Sequence, residues 1–159
     1  FWNFPKGDDV VQVEVMPQQF AWNFRYAGED GEFGTKDDLV PSQNQMHIPV
    51  DKPVIIQIAP YDVIHSFYLP NFRVKIDATP GMVNTMWFQA TETGKFEIAC
   101  AELCGNSHYR MKGYLTVDSE EDYNNWLQSL EEEGLEDDEW GDEDEEIPIR
   151  WGWAWKESM

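Results

Sequence analysis

The sequence predicts an all-β fold: a two-sheet sandwich followed by one C-terminal helix and an acidic tail. Three observations carry that expectation. From residue 10 to residue 117 the apolar residues fall in short runs, several of them strictly alternating, separated by Gly, Pro, Asn and Asp. No helical period interrupts this stretch before Ser119. Beyond Ser119 the spacing turns helical, and then the composition becomes almost wholly acidic.

Taken in order, residues 10–15 alternate, and residues 20–26 place an aromatic ring at every second position (Phe20, Trp22, Phe24 and Tyr26). Alternation puts all four rings on one face, which should face the core. Residues 27–39 form a Gly- and Asp-rich connection. Its carboxylates are of the type that gathers around calcium, but the spacing and closing Glu of an EF-hand loop are missing, so a solvated connection is expected. Further strands are predicted at 53–58, 63–67, 73–76, 84–90, 94–100 and 113–117, separated by turns such as Thr79-Pro80-Gly81 and Glu92-Thr93-Gly94. With the two N-terminal runs this makes about eight strands, enough for a sandwich. His47 reads as structural, and Met16, Met46, Met82 and Met86 as packing residues.

Ser119-Glu120-Glu121-Asp122 resembles a capping box, followed by Tyr123, Trp126, Leu127 and Leu130 at helical spacing, with Gly134 closing the helix. Residues 135–146 are nearly all acidic, and Trp151, Trp153 and Trp155 then alternate near the end. The organisation expected is a body over residues 1–118, a helix over 119–134 and a tail over 135–159.

The chain has 159 residues and a net charge of -20, but the charge is uneven. Residues 1–117 hold 14 acids and 9 bases, whereas residues 118–146 hold 16 acids and no base. The acidity argues against nucleic acid and anionic lipid as partners. Two cysteines exclude a disulfide-rich scaffold, and no apolar run approaches the roughly 20 residues of a membrane span. A soluble polypeptide, or the soluble part of a longer one, is expected.

Chemistry concentrates in Cys100-Ala101-Glu102-Leu103-Cys104-Gly105-Asn106-Ser107-His108-Tyr109-Arg110-Met111, with His65 upstream. Two thiolates, two imidazoles and a thioether are soft and borderline donors, suited to copper in electron transfer and unsuited to calcium or magnesium. A strand ending at Cys100 leads into this loop, so four donors come from one loop and His65 from a neighbouring strand. A mononuclear blue-copper site needs one Cys, so the second is surplus. Two coppers sharing both thiolates, each with a terminal His, is one explanation. Zinc, which would leave Met111 without a role, and a disulfide are others.

The loop, His65 and the strand pattern, with Asp62-Val63-Ile64-His65-Ser66-Phe67 and Lys75-Ile76-Asp77-Ala78-Thr79-Pro80-Gly81, resemble subunit II of bacterial haem-copper cytochrome c oxidases in its soluble binuclear copper (CuA) domain. The resemblance covers roughly residues 10–126. It implies a cupredoxin-like Greek-key β-sandwich holding two copper ions through His65, Cys100, Cys104, His108, Met111 and the Glu102 carbonyl. The Glu102 carboxylate would also reach a magnesium ion in the assembled complex. The implied donor is a c-type cytochrome and the acceptor a haem in subunit I, at the periplasmic face of the bacterial membrane. The complex would reduce oxygen and pump protons, while this chain alone transfers electrons.

Three positions depart from the family pattern. The two transmembrane helices that usually open the family are absent from this sequence, so a soluble fragment or a removed anchor is expected, with the membrane reached through those missing N-terminal helices or through other subunits. Phe20 stands where a Trp usually receives the electron, with Trp22 two residues on, which makes both candidates for electron uptake. Met82 follows the Pro-Gly turn where a basic residue is frequent. Asp30, Asp37, Asp38, Asp62 and Glu92 are candidates for steering a basic cytochrome. Two rivals are a copper-delivery or thiol-redox protein, which would need a helix beginning at the cysteines, and nitrous oxide reductase, which shares the copper module but adds a propeller.

Overall fold

A computed structural model describes residues 3–35, 37–102, 105 and 111–137. The strands are β1 (Val11–Gln18), β2 (Ala21–Tyr26), β3 (Gln45–Pro49), β4 (Pro53–Ile58), β5 (His65–Leu69), β6 (Val74–Ala78), β7 (Asn84–Gln89), β8 (Gly94–Cys100) and β9 (Lys112–Asp118), followed by helix α1 (Glu120–Asp137). One sheet has the order β2-β1-β4-β7 and the other β3-β9-β8-β5-β6. The connections β2–β3, β3–β4, β4–β5, β6–β7 and β7–β8 each cross between sheets, and β1 with β4 and β3 with β9 pair in parallel. The sandwich core is built from the inward residues of both sheets, among them Val13, Val15, Phe24, Ile48, Val54, Ile56, Phe67, Leu69, Ile98, Leu115 and Val117. No helix among the described residues is long and apolar enough to cross a membrane.

Sequence and structure part company at several elements. Strand β3, within which His47 lies, was not among the predicted strands; it pairs with β9 along its whole length. The strand predicted at 63–67 begins only at His65, because the Asp62 carboxylate accepts the Val63 N–H at 2.7 Å and holds a turn there. Val63 and Ile64 are consequently exposed. Trp22, Phe24 and Tyr26 are buried as alternation requires, but Phe20 precedes the strand and is 37% exposed. Met16 and Met46 are fully buried, whereas Met82, at the Thr79–Met82 turn, is exposed.

The opposite face of β1 and β2 carries Glu14, Met16, Asn23 and Arg25, a pattern that reads as partly polar and solvent-facing, yet all four are buried. The connection after β2 folds back over them. Phe33 lies on the Arg25 guanidinium at 5.8 Å, Asp38 approaches Arg25 Nε at 3.6 Å, and Gln43 donates to Asn23 at 3.0 Å. Arg25 and Glu14 are directly opposite in register and form a buried ion pair, with Nε to Oε2 at 2.8 Å. The connection is therefore solvated at its tip, where Glu29, Asp30, Gly31, Glu32 and Gly34 are exposed, and packed as a strap where Phe33, Asp38 and Gln43 meet the body. Within it, Asp37 accepts from Thr35 Oγ1 and the Asp30 N–H, and Asp38 from the Gly34 N–H. Among the described residues no group of three or more His, Cys, Asp or Glu is placed to hold a metal.

Helix α1 begins as predicted, with Ser119 Oγ accepting the Asp122 N–H at 3.2 Å. It does not stop at Gly134 but continues to Asp137; one interior Gly costs only about 1 kcal/mol relative to Ala, too little to end a helix by itself. Its apolar stripe docks through Trp126, which stacks on His47 at 4.3 Å between centroids and meets Tyr26 edge-on at 5.1 Å. His47 Nδ1 bonds Asp118 at 2.8 Å, and its backbone exchanges two hydrogen bonds with the Tyr26 hydroxyl. Burial holds that hydroxyl's proton affinity well above the ordinary tyrosine range. The tail residues 138–159, with their three alternating tryptophans, lie outside the described residues.

Candidate metal centre

Strands β5, β8 and β9 lie side by side, and their register sets the centre. Phe67 pairs with Cys100 across β5 and β8. The Ala101 N–H donates to the Ser66 carbonyl at 3.0 Å and continues the pairing, which brings Glu102 opposite His65. Strands β8 and β9 form an antiparallel hairpin, from Gly94 opposite Val117 to Ala99 opposite Lys112. The loop from Ala101 to Met111 closes that hairpin, so Cys100 and Met111 stand at its two feet.

The donors within the described part converge. His65 is fully buried, its Nδ1 lies 4.0 Å from Cys100 Sγ, and that sulfur lies 3.2 Å from the Glu102 carbonyl oxygen. Met111 is 1% exposed and Cys100 9%. Cys104 and His108 lie outside the described residues, as does Arg110. An imidazole nitrogen, a thiol, a carbonyl oxygen and a thioether at the end of one loop, away from water, fit copper by donor type and burial. Glu102 is half-buried, with its carbonyl toward the sulfur.

His65 is held from its other side. Nε2 lies 2.8 Å from Asp62 Oδ1, the arrangement in which a ligand histidine gives its second N–H to a carboxylate. Burial opposes a charge on this imidazole, but the bond to Cys100 and the bond and charge of Asp62 outweigh it and raise its proton affinity above the free value. For Asp62, burial pushes upward, while hydrogen bonds from His65, Gln19 and Val63 pull further down, leaving it below the ordinary aspartate value. Sequence reading grouped Asp62 with the steering acids and missed this contact; a carboxylate three residues before a candidate ligand histidine was the available signal. Asp38, another of those acids, is buried against Arg25 and is withdrawn from any docking surface.

The two aromatic candidates occupy different places. Trp22 is fully buried, edge-on to Phe67 at 5.4 Å and tilted toward His65 at 6.4 Å between centroids. Phe20 lies against Gly105 instead. A Cβ placed on Gly105 would fall 3.1 Å from the Phe20 ring and 2.5 Å from Gln19 Nε2, and Gly105 has a φ of 140°. Glycine is required there on both counts. Phe20 is exposed, as are Tyr61, Val63 and Ile64.

The sequence profile of the cytochrome c oxidase subunit II periplasmic domain matches residues 26–117. The alternative cytochrome c oxidase subunit 2 of Bradyrhizobium diazoefficiens is 39% identical over 141 residues, covering 76% of this chain and 51% of that protein. The crystal structure of the periplasmic domain of cytochrome oxidase subunit II (CoxB) of Bradyrhizobium japonicum superposes with a TM-score of 0.68 at 33% identity, covering 81% of this chain and 97% of that one. A CoxB periplasmic domain held in a mixed disulfide with thioredoxin-like TlpAs gives 0.66 at 32% identity, over 84% of this chain and 99% of that one. The chain spans about a third to a half of the length of the curated relatives it matches. A profile match over more than half of the chain, joined to a two-sheet sandwich that superposes on a solved CoxB domain, makes this chain a member of the cytochrome c oxidase subunit II family, in its periplasmic domain.

Proposed function

We propose that this domain is the binuclear-copper electron-transfer module of an aerobic terminal oxidase, taking electrons from a c-type cytochrome and passing them to a haem of the partner subunit I. The observation that carries this reading is the convergence of His65 Nδ1 on Cys100 Sγ at 4.0 Å at the foot of the β8–β9 loop, with Met111 buried at the loop's other foot. His65, Cys100, Cys104, His108, Met111 and the Glu102 carbonyl would hold two copper ions, which supply a one-electron redox couple. The chain's part is to keep that couple dry and its donors fixed. His65 is locked between Asp62 and Cys100, and Cys100 between paired strands, so the donors have little freedom to move when the charge changes. Small movement means a small reorganisation barrier.

Phe20, exposed and lying against Gly105, is the proposed point of electron uptake, and buried Trp22 supports His65 from the core side. The half-buried Glu102 carboxylate is proposed to reach magnesium in the assembled oxidase, at the periplasmic side of the membrane. The mixed disulfide of the related CoxB domain favours one further partner: a thioredoxin-like reductase that keeps Cys100 and Cys104 as thiols until copper arrives.

Copper stoichiometry with electron paramagnetic resonance tests the reading. Two coppers per chain, with hyperfine structure from one electron shared by both nuclei, are expected. One copper, or zinc without a mixed-valence signal, would overturn it.

A further inference from the structure

The Asp62 carboxylate joins two parts of the molecule that are separate in sequence, its own segment and the Gln19–Phe20 turn, and through that turn meets a third. Its Oδ1 meets His65 Nε2 at 2.8 Å and accepts the Val63 N–H at 2.7 Å, while Oδ2 accepts the Gln19 N–H at 2.7 Å. Gln19 and Phe20 in turn rest on Gly105, the residue after Cys104. One oxygen therefore touches the proposed copper ligand His65, and the other holds the turn whose ring lies against Gly105. An ionised carboxylate only accepts hydrogen bonds, so His65 must donate from Nε2. That leaves the Nδ1 lone pair turned toward Cys100.

We propose that Asp62 is a positioning residue for electron transfer: Oδ1 fixes the tautomer and orientation of His65, and Oδ2 fixes the Gln19–Phe20 turn against Gly105. The ring that receives the electron and the imidazole that holds the metal are then oriented by one carboxylate. A carboxylate serving only to attract a cationic partner would project into solvent and rotate. Asp62 instead has both oxygens engaged by three donors, two from its own 63–65 segment and one from the Gln19 turn, with its side chain 25% exposed. The inference rests on the copper reading for its purpose, but its geometry can be tested without metal.

The test uses the whole chain, first metal-free and then copper-loaded. Long-range proton–nitrogen spectra of the metal-free chain should give His65 as the Nε2–H tautomer, and Phe20 ring protons should show Overhauser contacts to Gly105. Asp62→Ala should lose both signals. Asp62→Asn keeps an acceptor oxygen for His65 but turns an N–H₂ toward the Gln19 N–H, so it should keep the tautomer and lose the Phe20 contacts. That split is something a merely structural residue would not produce. After loading, Asp62→Ala should bind copper about 10- to 100-fold more weakly, the usual range for removing a carboxylate behind a ligand histidine, and its reduction potential should rise. An unchanged His65 tautomer together with copper affinity within twofold of wild type would overturn the proposal. If the wild-type chain fails to form the copper pair while the metal-free signals split as described, the copper reading falls and the positioning role stands.

Discussion

Arg25→Ala removes the cation that faces Glu14 across β1 and β2, beneath the strap. Glu14 is fully buried and Arg25 only 7% exposed, so the pair lies in the range where removing one partner costs about 3–5 kcal/mol. Asp38 loses the same cation at 3.6 Å, and burial already raises its proton affinity above the ordinary aspartate value. The variant is therefore left with two crowded carboxylates and no guanidinium beneath Phe33. Against a total stability of about 5–15 kcal/mol this is a large fraction. With a urea slope of about 2 kcal/mol per molar, a loss of about 4 kcal/mol lowers the unfolding midpoint by about 2 M. Glu14→Leu combined with Arg25→Leu should recover at least half of that loss, because replacing both members of a buried pair with apolar groups is often neutral or better. Urea unfolding of the wild type, Glu14→Leu, Arg25→Leu and the double variant gives the coupling directly. A loss below about 1 kcal/mol for Arg25→Ala, or a double variant no more stable than the single, would refute the reasoning that this pair is desolvated and interdependent.

The other predictions concern the metal, the helix and pH. Cys104→Ser should abolish the spectrum of the shared electron, since one thiolate cannot bridge two coppers symmetrically; paramagnetic resonance checks it. Met111→Leu should retain copper and shift the reduction potential, read by voltammetry, because an axial thioether tunes more than it anchors. Trp126→Ala should cost about 2–4 kcal/mol in thermal or urea unfolding, as it removes the stack on His47 and the edge contact with Tyr26, while leaving the copper spectrum unchanged. Asp37 is held below its ordinary value of 3.8 first by the Thr35 hydroxyl and then by the Asp30 N–H. Its contribution is therefore fully present above that value and is lost as pH falls through the lower folded-state value. Asp37→Asn should flatten the acid limb of stability against pH below about pH 4.

Alternation made most strands legible, because one face of each must be apolar to meet the other sheet. It failed where a face is buried by something other than a sheet. Glu14, Asn23 and Arg25 carry polar groups that suit solvent, and only the fold-back of Phe33, Asp38 and Gln43 makes them interior. Strand β3 escaped because His47 points to Trp126, on a helix some eighty residues later, and its ladder partner β9 is equally remote. Phe20 fitted the aromatic rhythm of its neighbours, yet a turn at Gln19 lifts it out before the strand begins. For the centre, donor type and spacing were readable as text. The Asp62 contact was not, since a turn three residues before a histidine can equally face water.

The short ladder between β5 and β8 has a consequence for how the domain assembles. Among the described residues Phe67 pairs with Cys100 and Tyr68 with Ala99 there, with the Ala101 N–H to Ser66 carbonyl bond beyond them, whereas β8 and β9 share six pairs and are neighbours in the chain. The β8–β9 hairpin can close early, since nearby partners need little loop entropy to meet, and its closure gathers Cys100, Cys104, His108 and Met111 into one loop. His65 must arrive from β5, which pairs with β6 along its whole length and meets β8 across a shorter ladder. A metal that binds the loop and then captures His65 would fasten the two sub-assemblies together. Such a domain should exchange its β5 amide protons far more slowly after copper loading than before it, while those of β8 and β9 change little.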